Sequence, residues 1–367
     1  MKRILVIFGT RPEAIKMCPL VLELKSREEF ETIVCVSGQH REMLDQVLDV
    51  FGIVPDHDLS IMKPRQTLND LTTNIMTRLK KVLELENPDL VLVHGDTTTT
   101  FAASLTCFYE NIPVGHVEAG LRTFDIHSPF PEEFNRRAVS LVADLHFAPT
   151  ATARENLLRE GVDPARVFVT GNTAIDALRT TISPDFEHDV LDWVGDSKMI
   201  LITAHRRENQ GEPMDHMFQA LAQILQERPE LKAVYPIHLN PDIRATADRI
   251  LGHLDNLLLI PPLDVLEFHN IMARAYVVMT DSGGIQEEAP ALGIPVLVMR
   301  NTTERPEGIE SGTLKLVGTQ IEEITTALYQ LLDDQAEYDR MSQARNPYGD
   351  GTASRQIAQI LSETMNR

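Results

Sequence analysis

Leu90–Asp96 reads LVLVHGD and Ile112–Glu118 reads IPVGHVE. Each is a short apolar run of strand length that passes directly into a carboxylate. In an open parallel α/β sheet the ligand crevice lies beyond the carboxyl ends of the strands. An acid in the first loop position there faces substrate, so Asp96 and Glu118 point first to proton transfer.

The same rhythm extends outward in both directions. Strand-like runs at Ile4–Phe8, Thr32–Val36, Leu90–Val93, Val114–Val117, Leu145–Ala148 and Val167–Thr170 are mostly separated by amphipathic helical patterns. A second series starts again at Met199–Thr203 and continues through Ala233–Pro236, Leu257–Ile260, Tyr276–Thr280 and Val296–Met299. Strands alternating with helices predict parallel sheets with crossover helices. The fold class is therefore α/β, with two Rossmann-like domains whose strand ends face an interdomain cleft. The aperiodic stretch Ser183–Ser197, with a helix-sized remnant around Trp193, separates the two series. We set the boundary just before it, giving an amino-terminal domain of 1–171 and a carboxyl-terminal domain of 172–352.

Composition narrows the function classes. A chain of 367 residues exceeds the ~250–300 at which single cores stop growing. The net charge of −20, from 34 Lys and Arg against 54 Asp and Glu, disfavours nonspecific binding to nucleic acid or anionic membranes. An anionic ligand then needs locally placed arginines. Cys18, Cys35 and Cys107 form no CxxC pair and sit among apolar neighbours, as buried reduced thiols do. The ILVIF run near the amino terminus is too short for a signal-peptide core, and no run approaches the ~18 residues of a membrane span. A cytoplasmic protein is expected.

Cations and small residues cluster at the remaining strand ends. In TDSGGIQEEAP a strand ends at Thr280 and a helix begins near Gly284. Amides of Ser282, Gly283 and Gly284 could face an anion at the helix amino terminus, with Glu288 one turn on for ribose hydroxyls. An ordinary turn with Asp281 or Ser282 as N-cap is the alternative. FGTRPEAIK holds Arg11 in a loop over the strand ends before a helix started by Pro12. HRREN sets His205, Arg206 and Arg207 beyond another strand, where neighbouring arginines oppose protonation of the histidine. Arg305 in TTERPEG is either an anion contact or a salt-bridge partner. Glu132 and Glu133 follow Pro131 and suit a helix first turn as well as chemistry. NPYGDG reads as a cap for the last helix.

Taken in order, FGTRPEAIK, VLVHGDTTTT, VGHVEAGLRT, PEE, GNTAIDAL, HRREN, YPIHLNP, TDSGGIQEEAP, TTERPEG and NPYGDG resemble the non-hydrolysing bacterial UDP-N-acetylglucosamine 2-epimerases over nearly the whole chain. The resemblance implies a GT-B-like fold whose last helix, 353–367, returns to the first domain. It implies reversible conversion of UDP-N-acetylglucosamine to UDP-N-acetylmannosamine by elimination of UDP to 2-acetamidoglucal and re-addition. The product would supply N-acetylmannosamine for cell-surface polysaccharide. Asp96, Glu118 and Glu132 match the family's catalytic acids and His205 its histidine near the diphosphate. Arg11, Lys16, Ser282, Gly283, Gly284, Glu288 and Arg305 match nucleotide-sugar contacts, and Phe268 a position near the uracil. Periodicity alone reads Lys16 as helix surface. Leu263 departs from a polar residue found beside the uracil in some relatives.

Some relatives also bind a second UDP-N-acetylglucosamine as an activator. Gln39, His40, Arg65 and Arg206 match that constellation, whereas Glu42 replaces a glutamine. The resemblance further implies a homodimer, and its elimination route calls for no metal or redox cofactor. A hydrolysing epimerase, a GT-B glycosyltransferase and a non-catalytic nucleotide-sugar sensor are the alternatives.

Overall fold

The computed structural model describes residues 1–38, 41–63, 65–303 and 305–365, with the side chains of 41–43 and 207 excepted. The chain divides into two compact units, one of Met1–Thr180 with the segment from Tyr348 onward, the other of Thr181–Pro347. No helix among the described residues is long and apolar enough to cross a membrane.

The first unit is built on β1 (Lys2–Phe8), β2 (Phe30–Val36), β3 (His57–Asp58), β4 (Leu90–His94), β5 (Val114–Val117), β6 (Leu145–Ala148) and β7 (Val167–Val169). They form one parallel sheet in the order β3-β2-β1-β4-β5-β6-β7. Leu5, Ile7, Ile33, Cys35, Val91 and Val93 lie on one sheet face against Ile75, Leu79 and Ala103 from the covering helices. Burying a side chain of this kind contributes about 1.5–3 kcal/mol. A sheet covered on both faces needs near-continuous apolar strands, which is why LVLVH is apolar at successive positions rather than alternating.

The second unit repeats the plan with β8 (Met199–Thr203), β9 (Lys232–Pro236), β10 (Leu257–Ile260), β11 (Val277–Thr280), β12 (Val296–Val298) and β13 (Leu314–Leu316). The order is β10-β9-β8-β11-β12-β13, again parallel. In each sheet the winding reverses once, between β1 and β4 in the first and between β8 and β11 in the second. Loops leaving those neighbouring strands diverge to opposite faces and open the crevice where ligands bind in such folds.

The helix Thr173–Thr181 follows the expected boundary at 171, yet nearly all of it belongs to the first unit. Asp176 explains this by accepting from the amides of Ala353 (3.2 Å) and Ser354 (2.7 Å) at the start of the helix Ala353–Met365. That carboxylate, rather than a residue of NPYGDG, supplies the cap. The final helix packs on Arg11–Lys25 of the same unit. All three cysteines are free and buried, and burial pushes the thiols of Cys18 and Cys107 up to about 12.

Candidate active site

The first unit gathers its chemistry at the reversal between β1 and β4. Gly9 follows β1 so closely against β2 and the helix Thr98–Tyr109 that a Cβ would fall 2.0 Å from Ser37 Oγ and 2.6 Å from Thr99 Oγ1. Thr10 then caps the helix Arg11–Lys25 in a capping box with Glu13. Glu13 is 3 % exposed and does more than cap. One oxygen accepts from the amides of Gly9 (3.1 Å) and Thr10 (2.8 Å), and the other from the hydroxyl of Thr97 (2.8 Å), with Thr100 Oγ1 3.3 Å away. The loop carrying Arg11 is thereby tied to the loop carrying Asp96. Burial lifts the Glu13 carboxyl above its ordinary range, and these hydrogen bonds oppose that rise.

Asp96 pairs with Arg136 at 2.6 Å, and its carbonyl accepts from Asn135 Nδ2 at 2.8 Å. Burial nevertheless holds its pKa above the usual carboxylate range. The Arg136 and Lys16 charges pull it down, while those of Glu118 and Glu132 push it up. Arg136 also reaches Glu133 at 3.2 Å. Glu133 is fully buried and accepts from the amides of Thr123 (3.0 Å) and Phe124 (3.1 Å), so it holds the preceding loop. Glu132, the first residue of the helix Glu132–Val142, differs from its neighbour: its Oε2 is buried without a hydrogen-bond partner.

Glu118 follows β5 with φ at 62°, a left-handed conformation that costs a non-glycine residue on the order of 1–2 kcal/mol. Its Oε2 accepts from Lys16 Nζ and from Asn172 Nδ2 (2.9 Å). Lys16 is therefore turned to a carboxylate instead of lying on the helix surface. Three buried histidines lie on the adjoining strands. Loss of hydration holds His94, His116 and His146 neutral, with pKa values lowered to about 4, 3 and 4. His116 Nε2 bonds the Gly95 carbonyl at 2.8 Å; because a carbonyl only accepts, Nε2 carries the proton.

The second unit uses the reversal between β8 and β11 in a corresponding way. Asp281, fully buried, accepts from the amides of His205 (2.9 Å) and Arg206 (2.8 Å) and from Asn209 Nδ2 (3.1 Å). It thus fastens HRREN to TDSGG. Its carboxylate also faces His205 Nδ1 at 3.4 Å, and the His205 ring stacks on His238 with centroids 5.9 Å apart. Desolvation lowers the His205 pKa most, Arg206 and His238 add to the fall, and Asp281 opposes it. The expected influence of a neighbouring arginine is present but secondary.

The turn after β11 departs from its expected form. Ser282 N–H donates to Thr280 Oγ1 at 2.9 Å instead of facing outward, and the helix Ile285–Ala291 starts after Gly284 without a side-chain cap. Neither Asp281 nor Ser282 caps it, because Asp281 is committed to the β8 loop. Glu288 stands 3.7 Å from His269 Nε2. Arg305 pairs with Glu287, a part-buried ion pair whose carboxylate is almost fully enclosed. Phe268 lies beside His269, with ring centroids 6.4 Å apart.

Among the residues matched to a second ligand site, Arg65 is exposed with φ at 61° and Arg206 is held through its amide and its Nε, 3.2 Å from the Asp281 carbonyl. Gln39, His40 and the side chain of Glu42 lie outside the described residues. Among the described residues, no cluster of three or more His, Cys, Asp or Glu could hold a metal ion.

Residues in these networks that escaped the sequence reading include Glu13, His94, Asn135, Arg136 and Asn172. The Thr10-x-x-Glu13 spacing is a legible capping box, and Arg136 stands one helical turn from Glu132 and Glu133. Asn172 carries no local signal, since its contact spans 54 positions.

A family model described as UDP-N-acetylglucosamine 2-epimerase matches residues 22–362. The chain is 59 % identical over 359 residues to the UDP-N-acetylglucosamine 2-epimerase of Bacillus subtilis, covering 98 % of this chain and 94 % of that one. A crystal structure described as a candidate for the same enzyme from Listeria monocytogenes superposes with a TM-score of 0.96 at 55 % identity, covering 100 % of this chain and 98 % of that one. The Neisseria meningitidis UDP-GlcNAc 2-epimerase bound to UDP-GlcNAc gives 0.89 at 48 % identity, covering 99 % and 100 %. The fold is GT-B-like.

Proposed function

The chain belongs to the UDP-N-acetylglucosamine 2-epimerase family, and from that premise we propose that it interconverts UDP-N-acetylglucosamine and UDP-N-acetylmannosamine through 2-acetamidoglucal. The proton at carbon 2 of the sugar is not acidified by a neighbouring carbonyl, so direct removal is prohibitive. As UDP departs from carbon 1, oxocarbenium character develops there and acidifies the adjacent C–H. A carboxylate removes that proton to give 2-acetamidoglucal and UDP. Protonation of carbon 2 from the opposite face, with UDP returning to carbon 1, yields the epimer.

Two acid/base groups in different positions are required, together with cations for the leaving diphosphate. The observation that carries this reading is the convergence on one sheet reversal of Asp96, held above its ordinary pKa, and Glu118, paired with Lys16. Differing environments are how two carboxyls come to serve as acid and base. Glu132 is the third member of this acid set. On this reading His205 lies near the diphosphate, and Arg11, Lys16, Arg305 and the Ser282–Gly284 turn contact the nucleotide sugar. Glu288 meets the ribose and Phe268 the uracil. Arg65 and Arg206, with Gln39, His40 and Glu42, would bind a second UDP-N-acetylglucosamine as activator. The three reduced thiols accord with a cytoplasmic enzyme, one that supplies N-acetylmannosamine units for surface polysaccharide.

Proton NMR in deuterium oxide with UDP-N-acetylglucosamine tests the reaction. The expected product is UDP-N-acetylmannosamine carrying deuterium at carbon 2. Free N-acetylmannosamine would instead mark a hydrolysing enzyme, and unchanged substrate would end the proposal.

A second copy of the chain is the proposed partner. The helices Thr98–Tyr109 and Glu132–Val142 pack through an edge-to-face Phe101–Phe134 pair and leave Phe108, Tyr109 and Leu141 56 %, 63 % and 85 % exposed. These exposed apolar side chains, at the ends of two packed helices, are the surface proposed to meet the second copy. Sedimentation equilibrium is expected to find a dimer, and Leu141→Glu to shift it toward monomer. A dimer unaffected by this change would place the interface elsewhere.

A further inference from the structure

We propose that His94 is a positioning residue for Glu118, acting as a hydrogen-bond donor through Nε2. The inference rests on the reading of Glu118 as an acid/base group.

His94 closes β4, two residues before Asp96, and is 3 % exposed. Its backbone is fixed from outside, the carbonyl accepting from Thr100 Oγ1 at 2.5 Å. Its ring is not: both nitrogens are buried without a hydrogen-bond partner. A buried polar group in that condition is destabilising, since water solvates it in the unfolded chain and nothing replaces that water here. A leucine at the same place would carry no such penalty. The nearest acceptor is Glu118 Oε2, 3.7 Å from Nε2. A displacement of less than about one ångström brings this pair to hydrogen-bonding distance.

Oε2 already receives Lys16 and Asn172, and an approach by His94 would add a further donor to a carboxylate held in a left-handed backbone conformation. Each added donor helps a carboxylate to stay ionised and to keep one orientation. A neutral imidazole donates through whichever nitrogen carries its proton, and donation through Nε2 places the proton on the side of Glu118. Burial holds the ring neutral: the pKa is lowered to about 4, with the Lys16 charge assisting and the Glu118 charge opposing.

Other charged groups surround the pair. Asp96 and Glu132 add negative potential on the loop side, offset by Arg136. Behind His94 on the sheet, His116 and His146 are themselves neutral, and Arg122 is paired with Glu160 at 2.7 Å. Lys16, Asn172 and His94 thus each favour the charged form of Glu118.

The test is the pH dependence of kcat for epimerisation in the full-length enzyme, comparing His94→Leu, His94→Gln and His94→Asn. A glutamine amide reaches the position of imidazole Nε2, whereas the shorter asparagine reaches only that of Nδ1. In His94→Leu and His94→Asn the acidic limb set by Glu118 is expected to move upward by about half a pH unit or more, roughly threefold in its ionisation constant. In His94→Gln it is expected to stay within about 0.2 units of the unaltered protein, and KM should change less than about twofold throughout.

A purely structural role would leave the limb in place in every variant, whatever the change in melting temperature, and that result would overturn the inference. Should His94→Leu fail to fold, the contrast between Gln and Asn carries the same distinction. Glu118→Gln separates the inference from the reading beneath it. Full turnover in that variant defeats both, whereas lost turnover with an unmoved limb in the His94 series defeats the inference alone.

Discussion

Asp96→Asn is expected to lower kcat by about three orders of magnitude while leaving the fold intact, the range over which a positioned acid or base contributes. The amide is nearly the same size as the carboxyl, so the loop after β4 keeps its shape. Asn135 still donates to the carbonyl at position 96, and Arg136 retains Glu133. What disappears is a titratable group whose pKa is poised above the carboxylate range by burial and restrained by Arg136. Steady-state rates, read beside a melting curve, distinguish the cases. A loss below about tenfold with an unchanged melting temperature would remove Asp96 from the proton-transferring set.

The largest stability effect is expected at Asp281→Ala in the second unit. Removing that carboxylate leaves the amides of His205 and Arg206 and the Asn209 side chain without their shared acceptor. A buried donor left unsatisfied costs about 1–3 kcal/mol; with the Asn209 amide buried and the two backbone amides part-buried, the loss is on the order of 3–5 kcal/mol. The transition of this unit should fall by on the order of 10 °C. Hydrogen exchange at Met199–Thr203 and Val277–Thr280 assigns the loss to the two strands that Asp281 joins. Protection unchanged at both strands would mean that the loops hold without it.

These effects trace to residues whose importance the sequence reveals unevenly. Apolar runs ending in Asp96, Glu118, His205 and Asp281 were legible because buried parallel strands impose a strong local pattern. The edge strands His57–Asp58 and Leu314–Leu316 were not, since two or three residues cannot establish a period. Asp281 was visible as a possible cap but not as a clasp, because its partners lie 72 to 76 positions away. Lys16 failed for a related reason: helical periodicity gives its face but not the acid brought there by β5, 102 residues later. Local chemistry can be read from local sequence, whereas pairings created by sheet order become visible only with the sheet.

The return of the final helix to the first unit has a bearing on biosynthesis. The first unit is interrupted by the 167 residues from Thr181 to Pro347, so its last helix is made after the whole of the second. At about 5–20 residues per second, the ribosome takes roughly ten to thirty seconds over that insertion. Throughout this time the helix Arg11–Lys25 lacks its packing partner, and Asp176 waits for the amides it will cap. The second unit, continuous in sequence, is fully synthesised first, although it begins later. Synthesis therefore finishes the two domains in the reverse of the order in which it starts them.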